Sequence, residues 1–294
     1  MKLTYSICEL LPYINWLYFY HAWGVSCQLE TARQQLRQEA EERLQRYDGC
    51  YHVHALFELF PAHSDGDDII VGETETNNKE GRMRIALLRQ QQEGSKHLCL
   101  ADFIAPLHLS HSTIHAPHPG VPAATDGQRS DNTTIGLFAT SADIGMETDF
   151  ETDPYEKMMA QLLADRLAEA AAEVMHRDVR TRYWGYAPDE QLSVSDLHAE
   201  RFQGIRPAVG YPSLPDVSLN FVIDRLLGGM NKIGIRLTES GAMKPHASVS
   251  GLMISHPKAH YFSIGKIGED QLHDYARRRG LPVETMRKFL SANL

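Results

Sequence analysis

The sequence predicts an α+β protein with a mainly antiparallel sheet and packed helices. Two patterns carry this: apolar runs of strand length come in pairs joined by turn-forming residues, and amphipathic helical patterns stand apart from them. A third observation is composition. With 294 residues, 43% hydrophobic and 23% charged, the chain can bury a substantial core.

Taken in order, the N-terminal stretch LTYSICELLPYINWLYFYHAWGV is rich in apolar and aromatic residues, but Glu9, Pro12, Asn15 and His21 interrupt it. No small-residue cleavage site follows and no uninterrupted apolar run approaches about 18 residues, so it reads as part of the fold rather than a leader or membrane span. Over 29–47 the positions Leu29, Ala32, Leu36, Ala40, Leu44 and Tyr47 recur at helical spacing before the stop signal Asp48-Gly49. Runs 53–60 and 67–72 read as a hairpin across PAHSDG. The segment 83–92 carries a short helical pattern and 98–106 reads as strand or loop. Residues 107–133 are dense in His, Pro, Ser, Thr, Asp and Gly and read as a long inserted loop.

A strand resumes at 135–142. The strongest element follows at 156–180, where Met159, Leu163, Leu167, Ala170, Val174 and Met175 form one stripe of an alanine-rich helix. A helix is expected near 217–233 and a strand at 236–240. Two strands, 247–255 and 260–267, should form a hairpin across HPKA, and two short helices should break at Gly280 and Pro282. There is no internal repeat.

The formal charge of -9 argues against nucleic acid as a partner, since phosphate binding draws on clustered Lys and Arg. Cys8, Cys27, Cys50 and Cys99 show no C-x-x-C pairing and no zinc-ligand histidine beside them, so they read as reduced packing residues of a cytoplasmic protein. The motifs G-x-S-x-G, P-loop, G-x-G-x-x-G and H-E-x-x-H are absent. His108, His111, His115 and His118 have spacing that could feed a metal, but proline and glycine between Ala116 and Gly120 break any helix that would align them. No metal site is expected. Asp196 to Arg201, DLHAER, nearly matches a D-x-H-x-x-G cobalamin box, with arginine where close backbone approach needs glycine.

The stretch GIRPAVGYPSLPD, 204–216, sets Arg206 on a backbone stiffened by Pro207, Pro212 and Pro215 and given freedom at Gly204 and Gly210. It is either an exposed linker or a rigid loop whose arginine takes a carboxylate in two parallel hydrogen bonds. Composition leaves both readings open.

Several segments together resemble the S-adenosylmethionine-binding activation domain of cobalamin-dependent methionine synthase. They are PYINW, FPAHSDGDDI, CLADFIAP, ADRLAEAAAEVMH, YWGYAP, QGIRPAVGYPSLPD, LTESGAMKPHASVSG and SHPKAHYFSIGKI, in family order along nearly the whole chain. The resemblance implies one C-shaped domain over 1–294 built on a curved antiparallel sheet. It implies binding of S-adenosylmethionine and delivery of its methyl group to cob(II)alamin for reductive methylation, a component of a methyltransferase that does not make methionine alone. Cobalamin would be carried by the cobalamin-binding domain of a methionine synthase, and the electron would come from a flavodoxin-like reductase; neither nucleic acid nor membrane is an expected partner. The chain is then either a free-standing activation protein acting in trans or a domain cut from a longer enzyme, and the initiator-like Met1 slightly favours the former.

Residue by residue, the resemblance carries the ligand-carboxylate arginine onto Arg206, the main chain that reads the adenosyl portion onto Ala208 and Tyr211, and the aromatic pair onto Tyr261 and Phe262. No catalytic side chain is implied. The family's aspartate in the PYINW segment is replaced by Asn15, and Glu200 matches an acidic position that can supply the missing charge. The segment DVSLN departs from the family's His-Thr-Glu-Lys run. These departures motivate an alternative, a docking scaffold for a cobalamin domain or reductase without ligand affinity. A conventional small-molecule methyltransferase lacks its glycine-rich anchor.

Overall fold

The computed structural model describes residues 1–26, 29–72, 82–107 and 133–294. The histidine-rich stretch with His108, His111, His115 and His118 lies outside them, as do Cys27 and nearly all of the expected 107–133 insertion. In chain order the elements are β1 (Lys2–Tyr5), α1 (Ile7–Leu10), α2 (Trp16–Ala22), α3 (Glu30–Tyr47), β2 (Val53–Asp65), β3 (Asp68–Val71), β4 (Met83–Ala86), β5 (Thr134–Ala142), α4 (Gly145–Thr148) and α5 (Pro154–Asp178). There follow α6 (Val194–His198), α7 (Leu219–Leu226), β6 (Arg236–Leu237), β7 (Met243–Lys244), β8 (Ser248–Met253), α8 (Glu269–Arg279) and α9 (Val283–Phe289). The main sheet runs β4-β3-β2-β5-β8, with β1 also on β2. β1 on β2, β2 on β3 and β3 on β4 all pair antiparallel. This is the α+β class with a mainly antiparallel sheet.

The chain threads two compact units, one from Met1–Glu58, Leu137–Phe202 and Val217–Leu252, the other from Leu59–Gly136, Gln203–Asp216 and Met253–Leu294. In the first, α1, α2 and α3 pack on α5, whose Met159, Leu163, Leu167 and Met175 are fully shielded. Asp153 caps α5 by accepting from Tyr155 N at 2.9 Å, and Pro154 opens it where no amide is needed. Arg43 of α3 grips Glu156 with Nε and Nη2 at 2.9 and 2.5 Å, and Thr140 of β5 donates to Ala168 O at 3.0 Å.

In the second unit, β2 and β3 turn through Gly66 and Asp67 with Asp65 opposite Asp68. Gly66 holds φ 60°, the left-handed geometry that a two-residue hairpin demands. The expected hairpin is there, but β2 runs on through Pro61, whose carbonyl accepts Gly72 N at 2.9 Å without needing an amide in return. A core forms where Leu88, Ile264, Leu272, Tyr275, Ala276 and Met286 close on one another, under α8 and α9. The helices break at Gly280, φ 65°, as expected.

Four expectations are corrected. The 83–92 segment is strand β4 followed by a loop, because pairing with β3 and the burial of Ile85, Ala86, Leu87 and Leu88 decide an apolar run too short for periodicity to resolve. The 98–106 segment, expected as strand or loop, is a loop around a 3₁₀ turn, Leu100–Phe103, closed by Asp102 accepting from Cys99 N at 2.9 Å, and so needs no correction. The helix near 217–233 stops at Leu226 because Gly228 and Gly229 take positive φ, and a separate 3₁₀ turn follows at Met230–Ile233. The 260–267 segment forms no strand. Among the described cysteines only Cys99 is a packing residue, its thiol pushed up to about 12 by burial, while Cys8 and Cys50 are exposed.

Candidate functional site

In the second unit, the loop 203–216 is bound at several points to the chain after β8. Ile205 and Ile254 exchange backbone hydrogen bonds of 2.9 and 3.0 Å, and Gln203 Nε2 donates to Ser255 O at 2.9 Å. Arg206 N donates to Tyr261 Oη at 2.9 Å. Gly204 and Gly210 adopt φ 82° and 87°, conformations in which a side chain would be strained. The turn beyond closes on itself: Tyr211 N donates to Ala208 O at 3.3 Å, Gly210 N to Leu214 O at 2.8 Å and Leu214 N to Tyr211 O at 2.8 Å. The stretch is a rigid loop, not a linker.

Its exit is anchored in the same unit. The Asp216 carboxylate is 1% exposed; it accepts from Tyr275 Oη at 2.7 Å and pairs with Arg279 Nε at 3.4 Å. Burial and the Asp216 charge push the Tyr275 phenol well above its ordinary pKa, so it remains a donor. Between entrance and exit, Ser213 Oγ both accepts from Phe262 N at 3.1 Å and donates to Phe262 O. Tyr211 and Tyr261 keep 53% and 36% of their surface open. Phe262 continues into a ring cluster with Phe103 and His260, at centroid separations of 6.5 and 6.4 Å. Nearby His256 has its pKa lowered by burial and by the Lys258 charge. Five residues singled out in the sequence, Arg206, Ala208, Tyr211, Tyr261 and Phe262, therefore share one stiff platform. Ser213 was missed; the only hint was a serine confined between prolines.

Asn15 and Glu200 belong to the first unit. Asn15 caps α2, its Oδ1 accepting from Leu17 N at 3.2 Å. Glu200 follows the end of α6 and is exposed, with φ 54°, a left-handed position that glycine more often fills. The two segments meet where His198 Nε2 donates to Tyr13 O at 3.0 Å; a carbonyl only accepts, so that ring nitrogen carries the proton. The imidazole of the DLHAER sequence is thus committed to backbone.

Phe202, just before the loop, also sits in the first unit, against a buried cluster. The Arg180 guanidinium is fully buried, lies 4.1 Å from the Phe202 ring centre, and sends Nε and Nη2 to Glu190 at 2.8 and 2.6 Å. Its Nη1 donates to His176 Nδ1 at 2.9 Å. Elsewhere in this unit a cavity of about 200 Å³ is lined by Glu147, Met158, Leu162, Asp165 and His246, among others. Burial raises the Asp165 carboxyl pKa there, with the Arg166 charge opposing. Among the described residues no group of three His, Cys, Asp or Glu side chains is placed to hold a metal ion, and no helix is long and apolar enough to cross a membrane.

Comparison with known proteins adds two findings. Residues 6–280 match the model of the family described as vitamin B12 dependent methionine synthase, activation domain. The chain is also similar to a solved structure, the MetH reactivation domain bound to AdoHcy, at 37% sequence identity and a TM-score of 0.87, covering 100% of this chain and 90% of that one.

Proposed function

From the fact that this chain belongs to the activation-domain family of vitamin B12-dependent methionine synthase, we propose that it binds S-adenosylmethionine and presents the methyl group to a cobalamin held by a partner. The observation that carries the reading is the bond from Arg206 N to Tyr261 Oη, which joins the arginine loop to the aromatic pair. The ligand has three chemistries to satisfy: an amino-acid zwitterion, a cationic sulfonium and a flat base. The Arg206 guanidinium takes the carboxylate, a charge-assisted pairing of about 1.5–3 kcal/mol. Tyr261 and Phe262 face the sulfonium and base, adding about 0.5–2 kcal/mol. The main chain at Ala208 and Tyr211 reads the adenosyl portion.

No side chain needs to move a proton. The sulfonium is already activated, so the protein's work is positioning. Loss of the methyl group leaves a neutral thioether, AdoHcy, which the similar solved structure holds. The cobalamin supplies the methyl-accepting cobalt. Among the described residues, the DLHAER imidazole, His198, donates to Tyr13 O rather than facing a cobalt, and this supports a partner domain or protein as the carrier. A flavodoxin-like reductase would supply the electron.

Asn15 favours one alternative, a docking scaffold without ligand affinity. Its Oδ1 caps α2, and an amide, which can still accept a hydrogen bond from an ammonium through its second lone pair, has no charge to neutralise it. Calorimetry separates the readings. S-adenosylmethionine should bind the wild-type chain, and Arg206→Ala should weaken binding at least tenfold, the equivalent of about 1.4 kcal/mol. Equal affinity in the two proteins would sink the assignment of Arg206; no binding by either, with capture of a cobalamin protein retained, would favour the scaffold.

A further inference from the structure

The 260–267 segment has no strand partner among the described residues, yet backbone N–H and C=O groups shielded from water must be paired. At Phe262 one side chain meets both needs. Ser213 Oγ accepts from Phe262 N at 3.1 Å and donates to Phe262 O, which a hydroxyl can do because it carries one proton and two lone pairs. Ser213 is 6% exposed, so water does not substitute readily. It stands between Pro212 and Leu214 in the turn closed by Leu214 N on Tyr211 O at 2.8 Å, which fixes where the hydroxyl points. Ile264 N donates to Pro212 O at 2.9 Å, extending the seam by one more bond.

We propose that Ser213 is a positioning residue for the methyl-donor ligand: it locks the Tyr261–Phe262 backbone at a set distance from the arginine loop. This rests on the function proposed above. A ligand that places its carboxylate on Arg206 and its sulfonium and base on the aromatic pair must span the two. Rigid spacing then raises affinity by reducing the ordering that binding has to impose. Ser213 itself need not touch the ligand.

The test is calorimetry with S-adenosylmethionine on the full chain, comparing wild type, Ser213→Ala, Ser213→Thr, Arg206→Ala and the Ser213→Ala/Arg206→Ala double variant, with weak binders measured by competition. Ser213→Ala should weaken binding about tenfold, and Ser213→Thr, which keeps the hydroxyl, should stay within about threefold of wild type. In the Arg206→Ala background the Ser213→Ala effect should shrink below about twofold, because the spacing matters only while both ends are held. Unchanged affinity in Ser213→Ala, or equal losses in both backgrounds, overturns the positioning role. Absence of binding by wild type overturns instead the function on which it rests. Should Ser213→Ala not fold, amide exchange in the free wild-type protein decides: Phe262 N–H should be protected, and exchange at the rate of an open amide overturns the inference.

Discussion

Removing one oxygen, by Tyr275→Phe, tests whether the 203–216 loop is anchored through its last residue. The Tyr275 hydroxyl donates to Asp216 Oδ2 at 2.7 Å and stands 3.3 Å from Ala86 O, and both Tyr275 and Asp216 are essentially sealed from water. A hydrogen bond to a charged acceptor contributes about 1.5–3 kcal/mol, and its loss leaves a buried carboxylate short of a donor. Arg279, with Nε 3.4 Å from the same oxygen, retains part of the compensation, so the expected loss is about 2 kcal/mol. Phenylalanine keeps the ring in the α8 core, so no cavity term is added. With urea m-values of about 1–3 kcal/mol/M, the unfolding midpoint should fall by roughly 1 M. In an Asp216→Asn background the same substitution should cost less than about 1 kcal/mol, because the bond is no longer charge-assisted. A midpoint within about 0.2 M of wild type would refute the anchoring.

Two further perturbations address the first unit. Glu190→Ala strips both carboxylate bonds from the fully buried Arg180 guanidinium and should cost about 3–5 kcal/mol in denaturant unfolding; a loss under about 1 kcal/mol would mean that the guanidinium reaches water. Asp165→Asn should stabilise the protein near neutral pH, since the folded-state carboxyl pKa is raised by burial and ionisation is penalised in the folded state alone. The sign fixes the window: the gain is present above the folded pKa and vanishes as pH falls below the unfolded value of about 3.9. Melting curves from pH 4 to 7 showing no such trend would contradict it.

What the sequence could and could not predict follows from where each signal resides. The long helix α5 was legible because its apolar stripe repeats over 25 residues, and PAHSDG marked the β2–β3 hairpin because turn chemistry is local, although its Ala62 to Asp65 pair as part of β2. Strand β4 was not, since a four-residue strand has too few positions for a period to emerge and β3 decides its state. The 260–267 segment looks like a strand by composition, but its hydrogen bonds go to Ser213 and Pro212 in the loop and to Asn293 near the C-terminus, partners that no window of sequence reveals. Cys8 and Cys50 read as packing residues by type, while their positions leave them exposed. At the candidate site, Arg206 stood out through its neighbouring prolines and glycines, whereas the roles of Ser213 and Asp216 depend on distant residues.

In the function proposed above, the loop around Arg206 and the Tyr261–Phe262 segment hold the methyl donor. A crystal structure of the chain with S-adenosylmethionine tests it most directly. Both ligand carboxylate oxygens should lie on the Arg206 guanidinium at about 2.7–2.9 Å, with the sulfonium and base beside Tyr261 and Phe262. A ligand bound with its carboxylate away from Arg206, or lodged in the cavity beside Asp165, would contradict it.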